Sequence, residues 1–174
     1  WVDYLDGLNL HYWLKDNPNV NVIASSDSSY EFLKSNLTNK IVLIPSHHIN
    51  IERFRRERTE ITTVGYIGSP SPIAFKEYEL IGERLKTIGL DFITCFNFKT
   101  REDAINLYKS IDIFLIGDLP KSDTHQKNPT KIINAASFGI PTIAHPVIGY
   151  KEIEGSYIHA SSLDEMIAEA QKLK

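Results

Sequence analysis

The fold is decided by residues 64–72, which read Val-Gly-Tyr-Ile-Gly-Ser-Pro-Ser-Pro. The apolar start of this stretch is typical of a buried strand, and the glycine and prolines that follow are typical of a turn. Beyond the turn, apolar residues recur at steps of three and four from Phe75 to Ile88, so they share one face of a helix. The stretch therefore predicts a strand, a tight loop and an amphipathic helix.

The same alternation of strand and helix extends in both directions along the chain. Most of the strand candidates are apolar on successive residues, which is typical of strands covered on both faces, as in a parallel sheet. These candidates are residues 20–24, 41–44, 62–67, 92–96, 111–116, 141–144 and 156–159. Parallel neighbours need crossover connections, which are right-handed in nearly all proteins. We therefore predict an α/β fold with a doubly wound, Rossmann-like parallel sheet.

Helix ends are indicated by capping residues. Ser28 with Glu31, and Ser162 with Glu165, match the capping box, in which a hydroxyl and a carboxylate bind first-turn amides. Gly89 follows one apolar helical stretch, where a left-handed residue closes a helix. Gly139 follows another and predicts a second helix end of the same kind.

A domain boundary is predicted near residue 60. Residues 51–60 carry charges of both signs, which is typical of a solvated linker or surface helix. Residues 1–19 contain regularly spaced aromatic and leucine side chains and predict an amphipathic helix with no strand before it. We assign residues 1–60 to the tail of one domain plus a linker, and residues 61–174 to a second domain.

Composition excludes several classes of protein. Hydrophobic residues make up 42% of the 174, enough for a core without metal or disulfide support, and a net charge of −3 does not favour a nucleic-acid partner. The single cysteine, Cys95, rules out an intrachain disulfide and fits a reducing compartment, so we expect a cytoplasmic protein. It lies in an apolar stretch, which favours a buried structural thiol.

The loop after Ile67 is the first candidate for chemistry. Gly65 and Gly68 permit close approach of a ligand to the backbone, and free amides with a helix N-terminus can hold a phosphate. Three glycines at fixed spacing, which mark a dinucleotide site, are absent, and so is the Gly-Lys-Ser/Thr of a P-loop. A simple turn explains these glycines equally well.

Residues 127–144 are the second candidate. Asn128 can cap a helix and Pro129 suits its first position, so the helix start offers unpaired amides beside the positive charges of Lys127 and Lys131. That combination attracts a pyrophosphate. Asn134 lies one turn further into the helix, from where a polar side chain can reach a ribose hydroxyl.

Residues 131–144 resemble the signature of glycosyltransferase family 4, a lysine-containing helix start followed by small residues, Gly-x-Pro and an apolar strand. The rest of the pattern is similar in order. Residues 41–45 resemble the strand that ends the acceptor half of those enzymes, and residues 64–68 resemble the first strand and glycine loop of the donor half. Residues 101–116 resemble the helix and strand that come later, and residues 149–153 resemble the loop with the family's last glutamate, here Glu152.

This resemblance implies a GT-B fold whose C-terminal half binds the donor. It places Gly65 and Gly68 against the donor phosphates, Lys131 near the pyrophosphate, and Asn134 toward the ribose. Phe96 and Phe98 would flank the base. The full donor-binding set that it implies is Gly65, Gly68, Ser69, Lys76, Phe96, Phe98, Lys127, Thr130, Lys131, Asn134 and Glu152.

The implied reaction transfers a hexose from a nucleotide diphosphate sugar to a glycan or lipid acceptor, as in polysaccharide biosynthesis. Lysines and helix dipoles would stabilise the departing diphosphate, so we expect neither a metal nor a cofactor. The acceptor site and any catalytic base would lie mostly on the other half, so no catalytic residue is assigned and this fragment should bind without turnover. A lipid acceptor would bring the parent protein to the inner face of the membrane.

Three features depart from the family pattern. Tyr66 stands where a basic residue is usual, and Asn134 stands where glutamate is usual, so the charge-assisted bond to ribose is missing. The first glutamate of the family's paired-glutamate motif has no clear counterpart, although Asp118 and Asp123 are nearby. Three alternatives therefore remain: a non-catalytic sugar-nucleotide-binding module, a sugar-nucleotide 2-epimerase of the same architecture, and a receiver domain. The last two need acidic residues that the chain does not place convincingly.

The histidines give weaker signals. His47 and His48 are adjacent, so their side chains diverge in an extended segment and cannot readily share one ion. His125 with Asp118 and Asp123 could bind a metal, but their spacing is not diagnostic. His145 follows a predicted strand and could face a ligand at its carboxyl end.

Overall fold

A computed structural model describes residues 1–4, 10–46, 51–54, 57–68, 72–117 and 128–174, and of residues 72–76 it describes the backbone alone. The chain divides into two compact units. The first comprises described residues up to 46, residues 128–131, and Val147–Glu154. The second comprises the described residues from 51 to 117, residues 132–146, and Gly155–Lys174. The predicted division at residue 60 stays a prediction.

The first unit contains a three-stranded parallel sheet in the order β1-β2-β3. Its elements are β1 Val2–Tyr4, α1 Leu10–Asp16, β2 Val22–Ala24, α2 Asp27–Asn36, β3 Ile41–Leu43 and a 3-10 helix at Ile148–Ile153. A small core of Tyr4, Leu14, Val22, Ala24 and Leu33 joins the sheet to its helices. Both tryptophans lie in this unit and face solvent, Trp1 62% and Trp13 47% exposed.

The prediction of one helix over residues 1–19 was wrong. Residues 2–4 form β1, which pairs in register with β2 so that Tyr4 lies opposite Ala24, and only Leu10–Asp16 is helical. Tyr4 is buried, and aromatic and β-branched residues favour strands when one face is covered. The strand is short, so its alternation could not be separated from helical spacing in the sequence.

The start of α2 also differs from the prediction. Ser26, not Ser28, is the N-cap: its Oγ accepts a hydrogen bond from the Ser29 amide at 3.2 Å, and Ser29 Oγ accepts one from the Ser26 amide at 3.1 Å. A serine hydroxyl therefore does what Glu31 was expected to do. The hydroxyl half of the second predicted capping box is present, since Ser162 Oγ accepts from the Glu165 amide at the start of the last helix. The Glu165 carboxylate accepts from the Ser161 amide and not from that of Ser162.

The second unit contains a five-stranded sheet in the order β5-β4-β6-β7-β8, parallel throughout. Its elements are β4 Thr63–Ile67, α3 Pro72–Thr87, β5 Asp91–Cys95, α4 Arg101–Ser110, β6 Ile113–Ile116, α5 Thr130–Ser137, β7 Thr142–Ala144, β8 Ile158–His159 and α6 Leu163–Leu173. Thr130 and Lys131 of α5 group with the first unit, and the rest of α5 groups with the second.

The sheet confirms the predicted Rossmann-like α/β fold. Each of the predicted strands is present with bounds shifted by a residue or two, and every described residue of β4, β6 and β7 is buried, as continuous apolar runs indicated. Tyr78, Ile81 and Leu85 form the buried face of α3. Gly89 (φ 72°) and Gly139 (φ 67°) take the left-handed conformation that ends α3 and α5.

Candidate functional site at the carboxyl edge of the second sheet

The order of strands places a topological switch point between β4 and β6. From β4 the chain crosses to β5 on one side, and from β6 it crosses to β7 on the other side. Crossovers that diverge from neighbouring strands leave a crevice beyond their carboxyl ends, where ligands bind in open parallel sheets. Gly68 follows β4 and Gly117 follows β6 at this crevice. The connecting residues 69–71 and 118–127 lie outside the described part of the chain.

Two glycines near the crevice are required by packing. Gly65 is buried within β4, and a Cβ added there would lie 2.4 Å from Ile111 Cγ2. At Gly117 an added Cβ would lie 2.5 Å from Ile81 Cδ1 of α3. The missing side chains therefore let Ile111 and α3 pack directly against the strands. This packing accounts for Gly65 without a ligand, and its predicted contact with donor phosphates stays a prediction.

Gly68 is placed as the sequence predicted, at the end of β4. Its amide donates a hydrogen bond to the Cys95 carbonyl at 3.2 Å, so the pairing of β4 with β5 continues to this residue. Ser69 and Lys127 lie outside the described residues, and Lys76 is described only as backbone within α3. The phosphate contacts predicted for this loop therefore rest on sequence.

Aromatic side chains pack around the ends of β4 and β5. Tyr66, only 3% exposed, stacks on Tyr78 of α3 at 4.2 Å between ring centroids, and Phe96 lies 5.9 Å from Tyr66. Phe96 is half-buried, and Phe98 is 46% exposed. Tyr66 is thus a core residue. Phe96 and Phe98 stand where a planar ligand could reach them.

The start of α5 has the predicted cap. Asn128 Oδ1 accepts a hydrogen bond from the Thr130 amide at 3.2 Å, and Pro129 between them is buried. Thr130, Lys131 and Asn134 are half-buried. Lys131 belongs to the first unit and Gly68 to the second, so their predicted convergence on one diphosphate stays a prediction.

Asn134 and its neighbours belong to the second unit. The Asn134 carbonyl accepts a hydrogen bond from Ser137 Oγ at 2.7 Å, which closes the last turn of α5. Ala135 on the adjoining face is completely buried, so the helix packs closely, as its small residues predicted. The Asn134 side chain stays half-buried.

Glu152 is engaged within the first unit. Its Oε1 accepts a hydrogen bond from the Asp27 amide in the first turn of α2. A carboxylate at this end of a helix is favoured by the helix dipole and by amides that lack intrahelical partners. The predicted role of Glu152 toward the donor would compete with this contact.

Other reactive groups in the second unit do not form a catalytic cluster among the described residues. No group of three or more His, Cys, Asp or Glu there could hold a metal ion. Cys95 is a free, half-buried thiol whose pKa is raised by burial and, to a smaller extent, by the charge of Asp103. His145 follows β7, and its Nδ1 is buried with no described hydrogen-bond partner. The predictions for His47, His48 and His125 fall outside the described residues.

Gly117 was missed as a residue of the crevice. The signal was present, because glycine directly after an apolar strand is what drew attention to Gly68. Sequence reasoning did single out the loop after Ile116 by its place at a strand end. The strand order was needed to show that this loop and the one after Ile67 flank the same crevice.

Several solved structures are similar to this chain. One of them is a chain in the crystal structure of accessory secretory protein 1, 2 and 3 in Streptococcus pneumoniae. The two are 13% identical and superpose with a TM-score of 0.48. The match covers 84% of this chain but only 34% of the other, so this chain spans about a third of its neighbour's length. No family model and no curated protein matches the sequence.

The assignment of the fold therefore rests on the sheets themselves. Among the described residues, no helix has the length and apolarity needed to cross a bilayer.

Proposed function

We propose that this chain binds a nucleotide diphosphate sugar and is the donor-binding part of a GT-B glycosyltransferase that transfers a hexose to a glycan or lipid acceptor. The observation that carries the proposal is the switch point between β4 and β6, where both strands run into buried glycines. A crevice of this kind in a parallel sheet is the usual ligand site of such folds. The half-buried Phe96 at the end of the neighbouring strand would offer a surface for the base.

Positive charge and helix amides would hold the diphosphate. The capped start of α5 provides amides beside Lys131, and a helix N-terminus favours an anion there. Asn134, one turn later, would bind a ribose hydroxyl. Stabilising the departing diphosphate in this way needs neither metal nor cofactor. The acceptor and any catalytic base would be supplied by the other half of the enzyme.

A thermal-shift titration tests donor binding. The diphosphates of uridine, guanosine, thymidine and adenosine, and their sugars, should include at least one that raises the melting temperature. Stabilisation grows with the logarithm of ligand excess over Kd, so even millimolar binding gives a measurable shift. If no nucleotide shifts the transition at tens of millimolar, the donor site is not in this chain.

The variant Asn134→Glu tests whether residue 134 contacts the ribose of the bound nucleotide. A carboxylate accepts from both ribose hydroxyls, and charge-assisted bonds are roughly twice as strong as neutral ones. We expect the variant to bind the same nucleotide about 3- to 10-fold more tightly, a gain of about 1 kcal/mol. Gln171→Glu on the exposed surface of α6 is the matched control and should leave affinity unchanged. Equal affinity of wild type and Asn134→Glu would remove Asn134 from the proposed site.

A non-catalytic sugar-nucleotide-binding module is the second candidate. It is favoured by the burial of Tyr66, since a core aromatic replaces a basic group that would otherwise face the donor phosphates. The full parent protein distinguishes the two candidates. Release of free diphosphate in the presence of acceptor supports the transferase, and binding without release supports the module.

A further inference from the structure

Strand β5 lies at the edge of the five-stranded sheet, and no described strand pairs with its outer side. The Asp91 amide donates to the Thr62 carbonyl at 2.9 Å, and the Cys95 carbonyl accepts from Gly68. Alternate residues of a strand direct their backbone groups to opposite sides, so Ile93 also faces β4. The amides and carbonyls of Phe92 and Thr94 therefore point away from the sheet.

This edge carries few of the features that keep edges from pairing. Natural edge strands are commonly protected by lysine, proline, a bulge or a covering element. The sequence of β5 is Asp-Phe-Ile-Thr-Cys, with one charge at its first position and no lysine or proline. Ile93 is 40% exposed at its centre.

Grooves run along both faces of β5. The groove on the α3 face has a volume of about 490 Å³ and includes Phe92 and Thr94 in its lining. The groove on the α4 face has a volume of about 630 Å³ and includes Ile93 and Cys95. A strand presents successive side chains to opposite faces, so one added strand would fill both grooves at once.

Two charged residues of α3 beside this edge would be complementary to the same residues of a second copy of the chain. Gly82 of α3 lies over β5, since a Cβ there would be 3.3 Å from Phe92 Cδ1. Glu79 and Lys86 lie about one turn before and after Gly82, and both are exposed at the groove. A two-fold axis through the middle of β5 makes α3 antiparallel to its copy. Glu79 then faces Lys86 of the second copy, and Lys86 faces Glu79.

We propose that this edge binds a second copy of the chain. The two β5 strands pair antiparallel about a two-fold axis at Ile93, and the two five-stranded sheets become one continuous sheet. In this register Phe92 lies opposite Thr94 of the second copy, and the pair exchanges both backbone hydrogen bonds. Ile93 meets its own copy as a non-hydrogen-bonded pair, in which side chains come closest. A two-fold interface of this kind is closed and does not propagate.

Disulfide trapping tests the register directly. Asp91 and Cys95 of the second copy form a non-hydrogen-bonded pair with Cα atoms about 4.5 Å apart, within the range that a disulfide spans. We expect Asp91→Cys to give a covalent dimer on mild oxidation, seen on a non-reducing gel. In the wild type, and in Asp91→Cys/Cys95→Ser, each copy has one cysteine in β5. The cysteines of the two copies would be roughly 13 Å apart along the strands and should not form a disulfide. Equal linking in the double variant, or none in Asp91→Cys, would overturn the pairing.

Sedimentation equilibrium tests the dimer without added cysteines. Thr94→Pro removes an outward amide, a position where an edge strand tolerates proline, and should give a folded monomer. Glu79→Lys places like charges together and should weaken association about 10-fold, and Glu79→Lys/Lys86→Glu should restore it. A wild type that stays monomeric at high concentration would show that a second copy does not bind this edge and would end the proposal. None of these outcomes depends on nucleotide binding, so the two proposals fail separately.

Discussion

The amino and carboxyl ends of the strands in the five-stranded sheet differ in how their residues are used. At the amino ends, the carboxylate of the completely buried Asp112 accepts hydrogen bonds from the amides of Thr62 and Thr63 at 2.7 and 2.8 Å, and it pairs with Arg58 at 2.7 Å. At the carboxyl ends, β4 is followed by Gly68 and β6 by Gly117, and neither residue has a side chain. Hydrogen bonds hold the amino ends together, and glycines border the crevice at the carboxyl ends. We therefore expect substitutions at the amino ends of the strands to change stability, and substitutions at the carboxyl ends to change ligand binding.

The largest expected effect comes from removing the hydrogen bonds to Asp112 at the amino ends of the strands. Asp112→Ala leaves buried amides unpaired and Arg58 without its partner, so we expect a loss of about 3 kcal/mol in the free energy of unfolding. Urea denaturation should show the lower midpoint with an unchanged slope.

Arg58→Ala is the matched variant for this test. The Arg58 side chain is 38% exposed, and the amide bonds to Asp112 survive its removal, so its loss should cost about 1 kcal/mol. An equal loss of unfolding free energy in Arg58→Ala and Asp112→Ala would show that the ion pair, and not the hydrogen bonds from the amides, stabilises the amino ends of the strands.

An intermediate effect is expected from the glycines. Gly65→Ala drives a methyl group into the branched Ile111 side chain and should cost about 2 kcal/mol. Gly117→Ala meets the flexible end of Ile81 and should cost less. In a double-mutant cycle, Ile111→Ala should relieve part of the Gly65→Ala cost, as read from urea midpoints. Strict additivity would show that Gly65 is not there to make room for Ile111.

The smallest effect concerns the cap of α4. Hydrogen bonds from the Lys99 and Thr100 amides hold the pKa of the Asp103 carboxyl below its ordinary value. A carboxyl whose pKa is lowered by folding stabilises the protein above the unfolded pKa, near 4, and this contribution is lost as the pH falls through the folded value.

We therefore expect the difference in urea midpoint between wild type and Asp103→Asn to shrink as the pH is lowered from 7 to 3. Glu102→Gln, at the neighbouring exposed position of the same turn, is the control. A difference that stays constant over this range would show that the charge of Asp103 does not contribute to the cap.

The fold could be predicted because the central strands β4, β6 and β7 are buried on both faces. Continuous apolar runs such as that of β6 do not depend on knowing their partners. Strand β1 was missed because three residues carry too little alternation to compete with the aromatic spacing around them. The capping serine of α2 was misplaced because the sequence Ser-Ser-Asp-Ser-Ser offers several equivalent hydroxyls.

The candidate site was harder to predict because residues that contact one another in the structure lie far apart in the sequence. Position at a strand end was enough to single out Gly68 and Phe96. No local pattern shows that Gly65 faces Ile111, or that Asp112 reaches Arg58 across 54 positions. The engagement of Glu152 with α2 joins residues 125 positions apart, so a family pattern could name the residue without revealing its present partner.

The placement of the tryptophans gives the chain a built-in optical reporter. Trp1 and Trp13 both lie in the first unit and are exposed, and the sequence of the second unit contains no tryptophan. Indole emission therefore follows the first unit alone, whereas far-ultraviolet dichroism follows the helices and strands of both. Melting the unlabelled protein with both signals shows whether the two units unfold in one step or in two.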